Sequence, residues 1–290
     1  MSKNKTNPFV GLSNIKAEEH AGASALDLLR IVEDLAPSYQ QGQTRDMFLF
    51  LYFIDILVKA GVDFLLQGGI LLSTALGEHC RRTYDIDVIV KDPDAFYDDV
   101  RKAISSCMSD LYFDVAYVKK KEASERYYKN TFSFRVTCYH GEEVVGMIIV
   151  DGVYTDDYES MHKVVYKGPE IIDKDFRFYG VDIEYVAREK ILALSSELPR
   201  PIKHLVDVYS LTKIDLDIEK LRRYLDEGLA RENHIRESFG KPLLAKDYAV
   251  KDGKKFLGNY VYEMISSGYP LRFKEMKESV NAWIQATLSA

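Results

Sequence analysis

The feature that most constrains this chain is Asp85-Ile86-Asp87, two carboxylates two positions apart at the head of the apolar run Ile86, Val88, Ile89, Val90. Side chains alternate across a strand, so Asp85 and Asp87 share one face while Ile86, Val88 and Val90 take the other. One face packs and the other carries charge. Two residues along a strand span about 6.6 Å, and like charges at that distance repel by about 2.5 kcal/mol at an effective dielectric of about 20. A bound cation removes that cost. Carboxylate oxygens suit magnesium, which keeps several water or phosphate ligands, so the pair reads as a seat for a metal–nucleotide complex. For D-x-D alone, a solvated pair at a strand end is the plainer reading.

The segment upstream shifts that balance. Residues 63–67 are expected as a short strand, Gly68-Gly69 as a sharp turn and 70–76 as a helix beginning Ile70-Leu71-Leu72. A strand, a glycine turn and a helix start leave backbone N–H groups free for an anion, and glycines let a phosphate come close. Fifteen residues separate Gly69 from Asp85, enough for one helix, a loop and a return to the sheet beside the first strand. Downstream, 131–138 alternates with Phe132, Phe134 and Val136 on one side, Tyr139-His140-Gly141-Glu142 reads as a hairpin turn, and 143–151 returns. Asp151 falls on the face of Val145, Met147 and Ile149 at the exit of this hairpin, where an Asp is most simply a turn residue.

The remaining pattern is mostly helical. The first twenty-odd residues are expected to be loosely ordered, with helices over 23–35 and 45–60. A further helix, 95–106, starts behind Pro93-Asp94, and 113–118 is a strand candidate. From Glu184 onward helices are expected over 185–197, 202–212, 217–236, 253–266 and 271–286, which places a seam at 180–183. The implied division is residues 1–60 as N-terminal helices, 61–182 as a core sheet domain and 183–290 as a helical C-terminal domain.

Composition narrows the function. The 290 residues can bury about three quarters of their unfolded surface. A net charge of −6 argues against broad, sequence-blind nucleic-acid binding and leaves a local basic face as the way to hold an RNA end. Lys119-Lys120-Lys121 with Arg126, Tyr127, Tyr128 and Lys129, and Arg222-Arg223, are the candidates, although a solvated loop is the simpler meaning of either. Cys80, Cys107 and Cys138 lie far apart without a C-x-x-C, which suggests neither a disulfide framework nor a zinc site and fits a reducing cytoplasm. The polar start Ser2-Lys3-Asn4-Lys5 lacks the apolar core of a signal peptide. The apolar run 47–57 contains Asp55 and is too short to cross a bilayer, so it reads as a buried helix and no membrane partner is expected. Neither His79 nor His204 completes a Ser-His-Asp or Cys-His arrangement, which disfavours nucleophilic hydrolysis.

With Arg82-Thr83 ahead of the acids, G-G-x(15)-D-I-D resembles the signature of the DNA-polymerase-β-like nucleotidyltransferases. The nearest resemblance is to the AbiEii/AbiGii branch, whose motif runs G-G-T-A-L, a short loop, then R-x-S/T-x-D-I-D. The chain departs from it at Ile70-Leu71-Leu72, which lacks the helix-start hydroxyl. A second patch, Arg188-Glu189-Lys190-Ile191-Leu192-Ala193-Leu194, Arg200 and Lys203-His204-Leu205-Val206-Asp207, is similar to the branch's E-K-x(3)-L, R, K/R-D-x-x-D-L, with His204 in place of the first Asp. The likeness covers about residues 63–211.

The resemblance implies an α+β fold, a polymerase-β-like mixed sheet with flanking helices followed by a helical C-terminal domain. It implies a third carboxylate on a neighbouring strand, for which Asp151 is the best candidate. Asp85, Asp87 and Asp151 would be the metal ligands for a two-ion magnesium site, with Lys190 and Asp207 completing the catalytic set. Gly68, Gly69, Arg82, Thr83, Lys190 and Lys203 would contact an NTP. Ala187, Ile191, Leu194 and Leu198 form a packing stripe that leaves Lys190 on its edge, able to reach a phosphate. An i,i+4 ion pair between Lys203 and Asp207 would explain those two residues equally well. The implied role is that of a toxin or phage-defence protein that moves an NMP from an NTP onto an acceptor, with tRNA or other RNA as target and a cognate antitoxin as partner. Transfer to a small molecule of the antibiotic type, modification of a partner protein, and a nucleotide-binding regulator without turnover remain open.

Overall fold

A computed structural model describes residues 8–36, 41–77, 80–122, 130–196, 200–250, 256–257 and 273–288. Seven strands form one mixed sheet: β1 (Leu65–Gln67), β2 (Ile86–Val90), β3 (Tyr112–Lys121), β4 (Thr131–His140), β5 (Glu143–Tyr154), β6 (Val164–Lys167) and β7 (Arg177–Gly180). Their spatial order is β3-β4-β5-β2-β1-β7-β6. β1 lies antiparallel to β2 and parallel to β7, and β2 runs parallel to β5. The return to the sheet beside β1 expected from the glycine-to-aspartate spacing is therefore the pairing of β1 with β2. β3, β4 and β5 form an antiparallel meander, with a tight turn at Gly141 where φ is +59°.

The strand alternation sets which face packs. Register places Leu66, Val88, Gly152 and Gly180 on one face, and Gln67, Asp87, Asp151 and Ser133 on the other. Three helices cover the first face: α3 (Gln41–Lys59), α4 (Gly68–Leu76) and α5 (Pro93–Ser106). A Cβ on Gly146 would meet Leu49 of α3, and one on Gly180 would meet Leu71 of α4. Phe96 of α5 sits 5.8 Å from the ring of Phe132 and 6.0 Å from that of Phe134. Pro at the first turn and the Asp92 side chain capping Asp94 and Ala95 N–H groups start α5 where the sequence places it. α3 is the buried helix read from 47–57. Its Asp55 stays at 3 % exposure by pairing with Lys59 at 2.7 Å, and Lys59 reaches on to Asp173 at 2.7 Å. No helix among the described residues is long and apolar enough to cross a membrane.

Beyond β7 the chain becomes helical, with α6 (Ile183–Ser195), α7 (Lys203–Leu211), α8 (Ile218–Ser238) and α9 (Phe273–Leu288). α6 packs on α4, α7 and α8, and α9 packs on α7 and α8. β8 (Arg200–Pro201) and β9 (Phe256–Leu257) form a separate two-stranded parallel ladder.

Several expectations are corrected. The chain start is not loose throughout: α1 (Pro8–Ser13) is anchored by the fully buried Leu12, a 3-10 turn stands at Ala17–His20, and α2 (Ala25–Leu35) follows under a Ser24 cap. Lys119-Lys120-Lys121 belongs to β3 rather than to a loop, because its backbone pairs with Thr131 to Ser133; Arg126 to Lys129 lie outside the described residues. β5 runs on to Tyr154, so Asp151 sits inside a strand and not at its exit. Of the helix expected over 253–266, Phe256–Leu257 is strand and the rest lies outside the described residues, as do His79 and Leu198.

Candidate active site

The turn at the end of β1 brings two glycines against the acidic motif. Gly68 has φ +67°, a left-handed backbone that favours glycine, and a Cβ there would fall 1.8 Å from Asp87 Oδ2. A Cβ on Gly69 would fall 2.1 Å from Thr83 Oγ1. The glycine pair is thus required by the side chains of the motif itself, before any ligand is considered. The Gly69 N–H, at the start of α4, donates to Asp87 Oδ2 at 3.4 Å. Thr83 is buried and its hydroxyl donates to Asp85 Oδ1 at 3.4 Å.

Asp85 lies in the bend that enters β2, and Asp87 is inside the strand. Asp87 is in direct register with Asp151 on β5, so the third candidate shares its face on the neighbouring parallel strand. Burial, and then the neighbouring Asp85 charge, push the Asp87 carboxyl up to about 6 against the opposing pull of Lys190, Lys203 and the Gly69 N–H. An acidic pair held under this electrostatic load is a place where added positive charge is favoured.

The C-terminal helices supply cations to the same place. Lys203, the first residue of α7, puts Nζ 3.7 Å from Asp85 Oδ2. Lys190 on α6 reaches Asp207 Oδ2 at 3.7 Å. Lys203 and Asp207 therefore do not form the local ion pair that their spacing allows. Asp207 is instead gripped by Arg81, whose Nε and Nη2 donate to its two carboxylate oxygens at 2.8 and 3.1 Å, with the two side chains 3 % and 1 % exposed. Arg82 is directed elsewhere, to Asp46 of α3 at 2.8 Å and over the ring of Tyr84 at 4.6 Å. His204 is half-buried next to Lys203 on α7. Arg222, one of the two arginines offered as a basic patch, donates to the Thr287 carbonyl at 2.6 Å.

Arg81, and not its neighbour Arg82, reaches the buried Asp207 beside Lys190. The signal was present: laid on this chain, R-x-S/T-x-D-I-D puts its arginine at 81, two residues before Thr83.

A mixed sheet that sets one aspartate of a pair in register with a third on its parallel neighbour, entered through a glycine turn, has the architecture of a nucleotidyltransferase. The chain belongs to the AbiEii family: the profile described as nucleotidyl transferase AbiEii toxin, type IV TA system, matches residues 53–283. It is accordingly a nucleotidyltransferase of the toxin–antitoxin kind. Among solved structures it is similar to MenT4, a nucleotidyltransferase toxin from Mycobacterium tuberculosis, at 15 % identity over 92 % of this chain and 90 % of that one, with a TM-score of 0.64. It is also similar to JHP933 from Helicobacter pylori, at 14 % identity over 86 % and 92 % of the two chains, with a TM-score of 0.49. Among curated proteins no relative was found.

Proposed function

We propose that the chain transfers a nucleoside monophosphate from an NTP to an RNA acceptor, of the tRNA class, and that a cognate antitoxin restrains it in a reducing cytoplasm. The observation that carries this reading is the register of Asp87 with Asp151 beside Asp85, faced by Lys203 and Lys190. Asp85, Asp87 and Asp151 are the proposed holders of magnesium, an all-oxygen donor set of the type that ion takes. Among the described residues no group of three or more His, Cys, Asp or Glu side chains is placed to hold a metal ion, so the reading requires that water and phosphate oxygens draw the ion in and complete its coordination, as magnesium allows. When bound, the ion supplies charge neutralisation on the triphosphate and makes the acceptor hydroxyl more acidic.

The chain's own residues do the rest by placement and charge. Lys190 and Lys203 balance phosphate charge, and the Gly68-Gly69 turn leaves room for an anion at the start of α4. Asp151 accepts the proton of the acceptor hydroxyl as its oxygen bonds to the α-phosphorus and the bond to the β-phosphate oxygen breaks, releasing pyrophosphate. Asp207 works through Lys190 and Arg81 as a positioning residue. The division into N-terminal helices, core sheet domain and helical C-terminal domain is part of the same proposal.

The test is incubation of the purified chain with magnesium, each α-labelled NTP and total RNA. Label on RNA, lost in Asp85→Asn and Asp87→Asn variants that remain folded, is the expected result. Wild-type rates in those variants would remove both residues from the role. Label on an added small molecule alone, or NTP binding with no transfer to any acceptor, would replace the reading by the corresponding alternative.

A further inference from the structure

The sheet face that bears Asp87 and Asp151 continues, open to solvent, across β5, β4 and β3. Register makes a single row of Asp87, Asp151, Ser133 and Lys119 across four adjacent strands. One step along, Arg135 is paired with Ile149, which places Arg135 diagonally beside Asp151. Ile149 is 44 % exposed and Met147 57 %, whereas the alternate residues Ile148 and Val150 are buried under the helices. At the far end Tyr112 and Tyr139 stack with ring centroids 5.1 Å apart and planes 12° from parallel.

Among the described residues unpaired cations occur elsewhere on the surface, Arg101 and Arg177 among them, but those on this face lie beside the aspartates. Lys91, Lys102 and Lys120 are each paired with a carboxylate. Arg135 and Lys119, both exposed, have no hydrogen-bonding or ion-pair partner among the described residues. Strands lie about 4.8 Å apart, so Lys119, two strands from Asp151, is about 10 Å from it between Cα atoms. Arg135, the diagonal neighbour, is about 7–8 Å away. Both side chains are long enough to bring their charge to a phosphate next to a hydroxyl held at Asp151. Two unpaired cations set this close to an acidic centre fit a ligand that is itself anionic, on a chain whose net charge of −6 repels polyanions from most of its surface.

We infer that the open face of β3–β5 seats the acceptor, and that the acceptor enters as a single-stranded polynucleotide end. Arg135 and Lys119 hold backbone phosphates beside the reacting hydroxyl. Ile149, Met147 and the Tyr112–Tyr139 pair form an apolar and aromatic floor on which unpaired bases lie, a combination suited to single strands because every base has an apolar face. The inference rests on Asp85, Asp87 and Asp151 being the centre of transfer. It adds the side from which the acceptor arrives and the residues that hold it.

The test uses the full chain and a 5′-fluorescent single-stranded RNA oligonucleotide, with binding followed by anisotropy over a salt series. The variants are Arg135→Ala/Lys119→Ala and, as a control on the opposite face, Lys102→Ala. Each phosphate contact in a single-stranded complex contributes about 0.7 to the slope of log affinity against log salt. The double variant should therefore lose about 1.4 of slope and bind at least ~10-fold more weakly at low salt. Its KM for RNA should rise while its KM for NTP holds, and Lys102→Ala should behave as wild type. An unchanged slope and RNA KM in the double variant, with RNA labelled by both proteins, overturns the seat and leaves transfer intact. So does label that reaches a protein or small molecule while RNA goes unbound. Failure of the underlying reading looks different: wild-type protein that binds no NTP and releases no pyrophosphate with any acceptor.

Discussion

Replacing Arg81 with Ala should cost this protein more stability than any exposed charge change. The Arg81 guanidinium grips both oxygens of Asp207, and the two side chains are 3 % and 1 % exposed. Removing one member of such a pair leaves the other buried without its main partner, a loss of about 3–5 kcal/mol. At 1.36 kcal/mol per power of ten, that lowers the folding equilibrium constant by about two to four powers of ten. Lys190, 3.7 Å from Asp207, is too far to replace two direct hydrogen bonds. Urea unfolding followed by circular dichroism is the assay. With a slope of about 3 kcal/mol/M, the midpoint should fall by about 1–1.7 M. The paired replacement Arg81→Met/Asp207→Leu removes both charges together and should cost far less than the two single changes summed. A midpoint shift worth under about 1 kcal/mol, or additive single and double changes, would refute the account of Arg81 and Asp207 as an interdependent buried pair.

Three further outcomes are expected. Gly68→Ala forces a Cβ to within 1.8 Å of Asp87 Oδ2 at φ +67°, so nucleotidyl transfer should fall by about two powers of ten or more, with about 1–3 kcal/mol lost in urea unfolding; transfer at the wild-type rate would show that the turn tolerates a side chain. Asp87→Asn relieves a buried carboxylate pushed up by burial and Asp85, so in metal-free buffer at pH 7 the variant should be more stable by about 1–3 kcal/mol, and with magnesium added it should be inactive; reduced stability would contradict this. Burial alone would raise the Asp182 carboxyl, but hydrogen bonds from Lys220, Tyr224 and His162 outweigh it and hold the group below its ordinary value of 3.8. The stability it contributes is therefore full above that value and is lost as pH falls through the lower folded one. Acid unfolding below about pH 4 should accordingly be steeper in wild type than in Asp182→Asn, and equal slopes would assign the group no such part.

The acidic motif was legible because alternation alone puts Asp87 and its apolar neighbours on opposite faces, and because fifteen residues are the length of a helix and a return. Asp151 could be aligned with the apolar alternation of 143–150, but its pairing partner is a matter of register, which no single strand encodes. Which of Arg81 and Arg82 turns toward the buried Asp207 is hidden from the sequence for a related reason. Residues 80–84 have no regular structure, so no period says which arginine turns inward. Lys203 and Asp207 misled because a four-residue spacing makes a local ion pair possible, and the longer-range partners Asp85 and Arg81 prevailed. β6 and β7, four residues each, were too short to rise above the surrounding loops. The two-residue ladder at Phe256–Leu257 exists only through its contact with Arg200–Pro201.

The adjacent arginines pull in opposite directions. Arg81 ties the approach to the aspartates to α7, which follows the sheet in the chain, and Arg82 ties it to α3, which precedes it. The short connection is stayed like a mast from both sides, so an excised sheet segment would retain Asp85, Asp87 and Asp151 and still lose what holds their approach in place. Both flanks therefore serve the acidic strand twice, as part of the core and as the anchors of its approach.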